Sequence, residues 1–179
     1  MTWLAAGGAG GVVSVAIPFA ISRLVPNPPE WPIAVIPGLV FGLLLGALLH
    51  LSGPRPAWRI ATYGVASTIA HHLAYAMALG FTKETPGWQV GLASGSLGAA
   101  TLAVSAALLF PAARTVLHVG TITVLGALAG TLLHPALRAT WAGTEWSLLI
   151  LYVPWQAAVA LASSFFFLAK DLESRRGVR

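Results

Sequence analysis

Residues 33–51 read IAVIPGLVFGLLLGALLHL, and this stretch contains no Asp, Glu, Lys or Arg. An α-helix needs roughly 17 to 25 mostly apolar residues to cross the hydrocarbon of a bilayer, so this run is long enough to span it. The whole chain has a matching composition, with 57% apolar and 8% charged residues, whereas soluble domains carry about 25% charged residues. The sequence therefore predicts an integral membrane protein.

Five further apolar runs have a similar length. The six predicted spans are Trp3–Ser22, Ile33–Leu51, Ile60–Phe81, Val90–Phe110, Val116–Leu133 and Leu148–Lys170. Barrel strands would be about half as long and would alternate polar with apolar residues, which these runs do not. We expect an all-α, polytopic membrane protein with six transmembrane helices. It would form a single domain over residues 1–179, with a short basic cytoplasmic tail at 171–179.

Basic residues are distributed unequally between the two sides of this predicted bundle. With the N-terminus inside, three basic residues lie in the outer connections: Arg23, Lys83 and Arg138. Seven lie in the inner connections and the tail: Arg55, Arg59, Arg114, Lys170, Arg175, Arg176 and Arg179. Positive residues favour the cytoplasmic side. Both termini are therefore predicted to be cytoplasmic, in a protein of the cytoplasmic (inner) membrane.

The composition also excludes several partners and chemistries. The net charge of +5 comes from residues scattered over helix ends, without a compact basic patch that would follow phosphates. We therefore expect the lipid bilayer, and no nucleic acid, as the partner of these charges. Cysteine is absent. The apolar runs hold no carboxylate, and the chain has neither an HExxH motif nor a P-loop, so no enzymatic activity, metal or cofactor is expected.

A glycine pattern occurs twice. The strings GLLLGALLH (42–50) and GALAGTLLH (126–134) both read G-x-x-x-G-x-x-x-H. Two interpretations stay open: a 3+3 inverted repeat with halves 1–89 and 90–170, as in many transporters, or a chance match between helices rich in Gly, Ala and Leu. In either case this spacing lets helix backbones approach closely, within one chain, in a homo-oligomer or in a larger membrane complex. The predicted packing residues are Gly42, Gly46, Gly126 and Gly130.

The third predicted span carries a row of polar side chains. The residues that recur every four positions and share one helix face are Tyr63, Ser67, His71 and Tyr75, with Thr68 and His72 beside them. Ionisable groups at mid-membrane depth are expensive and usually face a protein interior or a hydrated cavity. The sixth span offers a polar counterpart. The candidate substrate-binding residues are therefore Ser67, His71, His72, Tyr75, Tyr152, Trp155 and Gln156.

Four interpretations of the histidine pair stay open. Adjacent helical residues point about 100° apart, so one metal ion suits the pair poorly. Axial haem ligation needs one histidine from each of two helices, and His118 is a second candidate. A neutral imidazole, with one donor and one acceptor, also suits a small solute or a hydrogen bond between helices.

We therefore predict that the protein binds or passes a small neutral or weakly basic solute, as a transporter, channel or substrate-capture subunit. The alternative is a non-catalytic accessory or structural subunit of a larger membrane complex, holding haem or a pigment.

Alanines on the first predicted span have one further spacing of interest. Ala5 with Ala9, and Ala16 with Ala20, read Ala-x-x-x-Ala. With its size, helix number and cytoplasmic termini, the chain resembles the substrate-capture subunits of energy-coupling factor vitamin transporters, in which such a patch docks the coupling subunit. The likeness covers two short patches and no binding motif, so it assigns no family.

Overall fold

The computed structural model describes residues 2–25, 27, 31–51, 56–80, 85–110, 116–141, 143 and 146–176, without the side chains of Trp141 and 166–176. Within these residues it contains seven α-helices and no strand, so the all-α class is confirmed. They are α1 (Thr2–Leu24), α2 (Trp31–Leu51), α3 (Trp58–Gly80), α4 (Gly87–Leu109), α5 (Val116–Gly130), α6 (Leu133–Trp141) and α7 (Leu149–Arg176).

The break between α5 and α6 departs from the prediction of one span ending at Leu133. Thr131 and Leu132 form a turn in which each N–H bonds to a carbonyl three residues back. Pro135 gives the break a local cause, because it has no N–H to donate to the carbonyl four residues earlier and its ring crowds that carbonyl. Beyond this turn the chain forms helix α6, in a region that was predicted to be a connection, and no signal in the sequence indicated this helix.

Four helical stretches are long and apolar enough to cross a membrane: Thr2–Leu24, Trp31–Leu51, Gly87–Leu109 and Val116–Thr140. Helix α3 has a comparable length of 23 residues, but its polar row lowers its hydropathy. In α7 the apolar stretch with described side chains is shorter, Leu149–Phe165. Six spans therefore stay a prediction. The α7 backbone includes residues 171–176 of the predicted tail, and 177–179 lie outside the described residues.

The helices pack as a closed ring in the order α1, α2, α3, α4, α5, α7 and back to α1, while α6 lies against α4 and α7. Neighbouring helices are antiparallel: a Cβ added to Gly38 would lie 2.8 Å from Thr68 Cα, and one added to Gly46 would lie 3.4 Å from Ile60 Cα. One end of the bundle therefore holds the start of α1 and the end of α7. We call it the terminal end, and the opposite end the cavity end.

The four glycines predicted to mark packing all lie at contacts within the chain. Gly42 and Gly46 face α3, while Gly126 and Gly130 face α4. At Gly126 and Gly130 an added Cβ would collide with Ala99 Cβ and with the Gly91 carbonyl oxygen. Because only glycine leaves room for such neighbours, these residues set the α4–α5 distance.

The aligned glycines do not make equivalent contacts. Gly42 packs on the helix that follows its own, whereas Gly126 packs on the helix that precedes its own. A two-fold axis in the membrane plane would also reverse the order of helices around a ring. The sequence match instead relates α1 to α4, α2 to α5 and α3 to α7 in the same order. This packing does not favour the inverted repeat, which stays a prediction.

The two ends of the ring are filled differently. At the terminal end Leu49, Tyr63, Leu102 and Phe110 are buried against one another. The Tyr63 ring meets the Phe110 ring edge-on at 5.8 Å, and its hydroxyl donates to the Leu102 carbonyl at 3.3 Å. The terminal end is therefore closed by packed side chains, whereas the cavity end is not filled in this way.

Candidate functional site

A cavity of about 100 Å³ lies in the cavity end, between α2, α3, α4, α7 and the junction of α5 with α6. A closed cavity of about 150 Å³ admits benzene, so this one suits water or a solute of a few heavy atoms. Its wall is mostly apolar and aromatic. The polar wall residues are Ser67, His71, Tyr75, Ser94, Tyr152 and Gln156, and the described wall contains no Asp, Glu, Lys or Arg.

Most of the predicted site residues meet at this cavity. Six of them line it: Ser67, His71, Tyr75, Tyr152, Trp155 and Gln156. His72 does not, because it lies on the exposed outer face of α3. The turn of about 100° between consecutive helical residues separates it from His71. The prediction that both histidines share the site therefore holds geometrically for His71 only.

His71 makes a hydrogen bond that depends on a proline in the facing helix. Its Nε2 lies 3.1 Å from the Ile33 carbonyl oxygen. In a regular helix that carbonyl would accept from residue 37, but Pro37 has no N–H. Since a carbonyl oxygen can only accept, His71 Nε2 carries the hydrogen and donates it. The sequence shows that the Ile33 carbonyl lacks its helical donor, because a proline lies four residues later. It does not show that His71 supplies the replacement.

A second hydrogen-bonded chain ties α7 to α1 and α2. Gln156, 1% exposed, donates from Nε2 to Ser14 Oγ at 2.9 Å, and Ser14 donates to the Pro37 carbonyl at 3.4 Å. Because Ser14 has one hydrogen and gives it to a carbonyl, the amide nitrogen of Gln156 must face it. Gln156 Oε1 has no hydrogen-bond partner among the described residues. The role of Ser14 was missed, since nothing in the sequence brings residues 14 and 156 together.

Trp155 is held in a fixed orientation beside the cavity. Its indole Nε1 donates to the Gly126 carbonyl at 3.0 Å. Its ring lies edge-on to Phe41, with centroids 5.8 Å apart. A Cβ added to Gly98 would lie 3.6 Å from Trp155 Cζ2. The indole therefore fits between three other helices and gives the cavity a rigid aromatic wall.

The cavity is also framed by two tyrosines. Tyr152 Oη lies 3.4 Å from His71 Nε2, and the two rings are 5.7 Å apart. Tyr75 lies one helical turn beyond His71 and also lines the cavity. The Tyr75 hydroxyl makes no hydrogen bond with any residue that the structure describes. The arrangement therefore offers neutral hydrogen-bonding groups at an uncharged wall.

The histidines do not assemble a ligand set in one chain. In the part of the chain that the structure describes, no group of three His, Cys, Asp or Glu side chains could hold a metal ion. His118 is the third residue of α5, at the terminal end, while His71 lies in the cavity half of α3. The helical rise of 1.5 Å per residue separates them by roughly 15 Å along the bundle. They are not placed to ligate one haem together.

The chain matches no family model, no curated protein and no solved structure. The resemblance to substrate-capture subunits therefore stays one of size and helix number. Function has to be inferred from the cavity and the residues around it.

Proposed function

We propose that the protein spans the cytoplasmic membrane with six helices and binds or passes a small neutral or weakly basic solute at this cavity. The supporting observation is the meeting of polar side chains from α3 and α7, His71, Tyr75, Tyr152 and Gln156, at an otherwise apolar and aromatic wall. Apolar walls with a few convergent polar groups are typical of small-molecule sites. Transporter, channel and substrate-capture subunit all fall within this proposal.

The difference between the two ends bears on how a solute moves. A solute that enters from the cavity end meets the packed side chains of Leu49, Tyr63 and Leu102 before the terminal end. Release on the far side therefore requires these side chains to separate. This favours capture, or a transport cycle with a conformational change, over a permanently open channel.

We propose that both termini are cytoplasmic, so that the cavity end faces outward. Exposed tryptophans support membrane boundaries at both ends: Trp31, Trp88 and Trp146 at the cavity end and Trp58 at the terminal end. Since the chain has no cysteine, a single introduced thiol can be labelled without background. An impermeant maleimide should label Leu24→Cys, but not Leu51→Cys, in intact spheroplasts. Both positions are about 80% exposed, at opposite ends, and the reverse labelling would invert the orientation.

Filling the cavity tests the function. Ala78 lines the cavity and Ala76 lies on the exposed face of the same helix. Ala78→Trp should lower saturable binding and liposome uptake of labelled small solutes by about tenfold or more, whereas Ala76→Trp should leave both unchanged. The panel is urea, acetamide, glycerol and methylammonium. If wild-type protein neither binds nor passes any of them, or if both variants behave alike, the proposal is wrong.

One observation favours the alternative of an accessory subunit that holds haem or a pigment. His72 is exposed on α3, where a polar side chain suits a neighbouring subunit or a pigment better than lipid. The absorption spectrum and native mass of wild-type protein and His72→Ala separate the two functions. A visible band or extra mass that the variant loses would establish the alternative, and the bare-chain mass would favour the solute.

A further inference from the structure

The hydrogen-bonding state of the tyrosines indicates which solutes the cavity accepts. We propose that it selects small uncharged molecules with a carbonyl oxygen, of the amide or urea class, through hydrogen bonds donated by Tyr75 and Tyr152. This inference rests on the proposed function, because it names the substrate class of the same cavity. It goes further by excluding ammonium-type cations as the preferred solute.

The hydrogen bond between Tyr152 and His71 does not use the hydroxyl hydrogen of Tyr152. His71 Nε2 donates to the Ile33 carbonyl at 3.1 Å, so that nitrogen already carries a hydrogen. The Tyr152 oxygen, 3.4 Å from the same nitrogen, can only accept from it. The Tyr152 O–H finds no acceptor among the described residues. It is available to an acceptor in the cavity.

Tyr75 supplies a second donor of the same kind. Its ring lines the cavity from α3, and its hydroxyl is unpaired among the residues described. The two phenol groups lie on facing helices that also form the His71–Tyr152 contact. A carbonyl oxygen has two lone pairs, so it has the capacity to accept a hydrogen bond from each of two hydroxyls.

Charge and size narrow the class further. No Asp, Glu, Lys or Arg belongs to the described wall, and a desolvated ion without a counter-charge is unfavourable at this depth. The Trp155 and Phe41 rings attract a cation only weakly, and this attraction does not offset the hydration that the cation loses. A volume of about 100 Å³ suits urea or acetamide, each with four heavy atoms.

The three tyrosines of the chain provide a matched experiment. Tyr75→Phe and Tyr152→Phe each remove one hydroxyl from the cavity and keep the ring. Tyr63→Phe makes the same change at the terminal end, where the hydroxyl donates to Leu102. Binding of labelled urea and acetamide to wild-type protein should exceed that of methylammonium at least tenfold. Each cavity variant should weaken urea and acetamide binding about 3- to 10-fold, as expected for one neutral hydrogen bond, and Tyr63→Phe should not.

The outcomes separate this inference from the proposed function. Equal or preferred binding of methylammonium, or cavity variants that bind urea and acetamide like wild type, overturns the inference and leaves the solute function standing. Absence of binding for every solute overturns both. If a Phe variant does not fold, the solute preference of the wild-type protein decides alone. Thermal stabilisation by acetamide but not by methylammonium is then the expected result, and the opposite order contradicts the inference.

Discussion

The two ends of this bundle use the same residue type in opposite ways. At the terminal end the Tyr63 ring is fully packed and its hydroxyl is paired with the Leu102 carbonyl. At the cavity end Tyr75 and Tyr152 line a space, and their hydroxyl hydrogens have no acceptor among the described residues. A polar side chain in an apolar helix is therefore not by itself evidence of a site. What distinguishes a site is a free hydrogen-bonding group next to an unfilled volume.

The backbone differs between the ends as well. Pro37 and Pro154 lie in the cavity halves of α2 and α7, and each removes a helical N–H. The His71 side chain occupies the carbonyl that Pro37 leaves unpaired. Among the described helices the terminal end has no internal proline of this kind. In α2 a side chain from another helix thus replaces the missing backbone donor, which gives His71 a structural role at the cavity end.

The largest effect is expected from emptying the terminal end. Leu49 is 0% exposed and Leu51, two residues later, is 80% exposed. Leu49→Ala removes packed methyl groups and leaves a void, which costs about 2 to 5 kcal/mol for a buried leucine. Leu51→Ala should change stability by less than about 0.5 kcal/mol. Thermal unfolding in detergent measures both. Equal melting temperatures would mean that this end is not closed by packing.

A smaller but still large effect is expected at the α4–α5 contact that borders the cavity. In Gly130→Ala the new Cβ would collide with the Gly91 backbone, which cannot move as a side chain would. Such overpacking costs about 1 to 3 kcal/mol. Gly120→Ala on the same helix meets nothing within 4 Å and should be neutral or slightly stabilising, because alanine favours helix. Thermal unfolding again compares the two variants, and a stable Gly130→Ala would contradict the close approach.

Features that depend on neighbouring residues in the sequence were predictable, and features that depend on the packing of distant helices were not. Composition and run length predicted the all-α class correctly, because both are local properties, but they did not predict the break between α5 and α6. The i, i+4 spacing placed Ser67, His71 and Tyr75 on one face, and the structure brings that face to α7. The spacing did not show that His71 faces the cavity and His72 does not, because the rotation of α3 about its own axis depends on the packing of α2 and α4. Long-range pairs such as Ser14 with Gln156 had no sequence signal.

The break at Thr131 and the pairing of the glycines show the same limit. Pro135 marks a helix interruption locally, but whether the chain turns away or resumes as α6 depends on contacts with α4 and α7. The repeated G-x-x-x-G pattern predicted close helix contacts, and the structure places all four glycines in such contacts. It could not say which helix each glycine meets. The identity of the contacted helix is what distinguishes a ring packed in sequence order from an inverted repeat.

The smallest effect is expected from removing the hydrogen bond between His71 and the Ile33 carbonyl at the cavity end. His71→Leu keeps a similar volume but removes the hydrogen bond to the Ile33 carbonyl, which costs about 0.5 to 1.5 kcal/mol, the net contribution of one hydrogen bond. His72→Leu, on the exposed face, should cost less than about 0.5 kcal/mol. Pro37→Ala restores a backbone N–H that can donate to the same carbonyl. In that background His71→Leu should therefore cost less than it does alone.

The difference between those two costs is the coupling energy of the pair, and thermal or denaturant unfolding of the four proteins in the cycle measures it. A coupling of about 1 kcal/mol is expected, since a single hydrogen bond is exchanged between two donors. Additive costs would mean that His71 stabilises the fold by packing alone. In that case nothing would fix a hydrogen on Nε2, and this nitrogen would be able to accept from the Tyr152 hydroxyl. The Tyr152 hydrogen would then be used within the protein rather than offered to a solute.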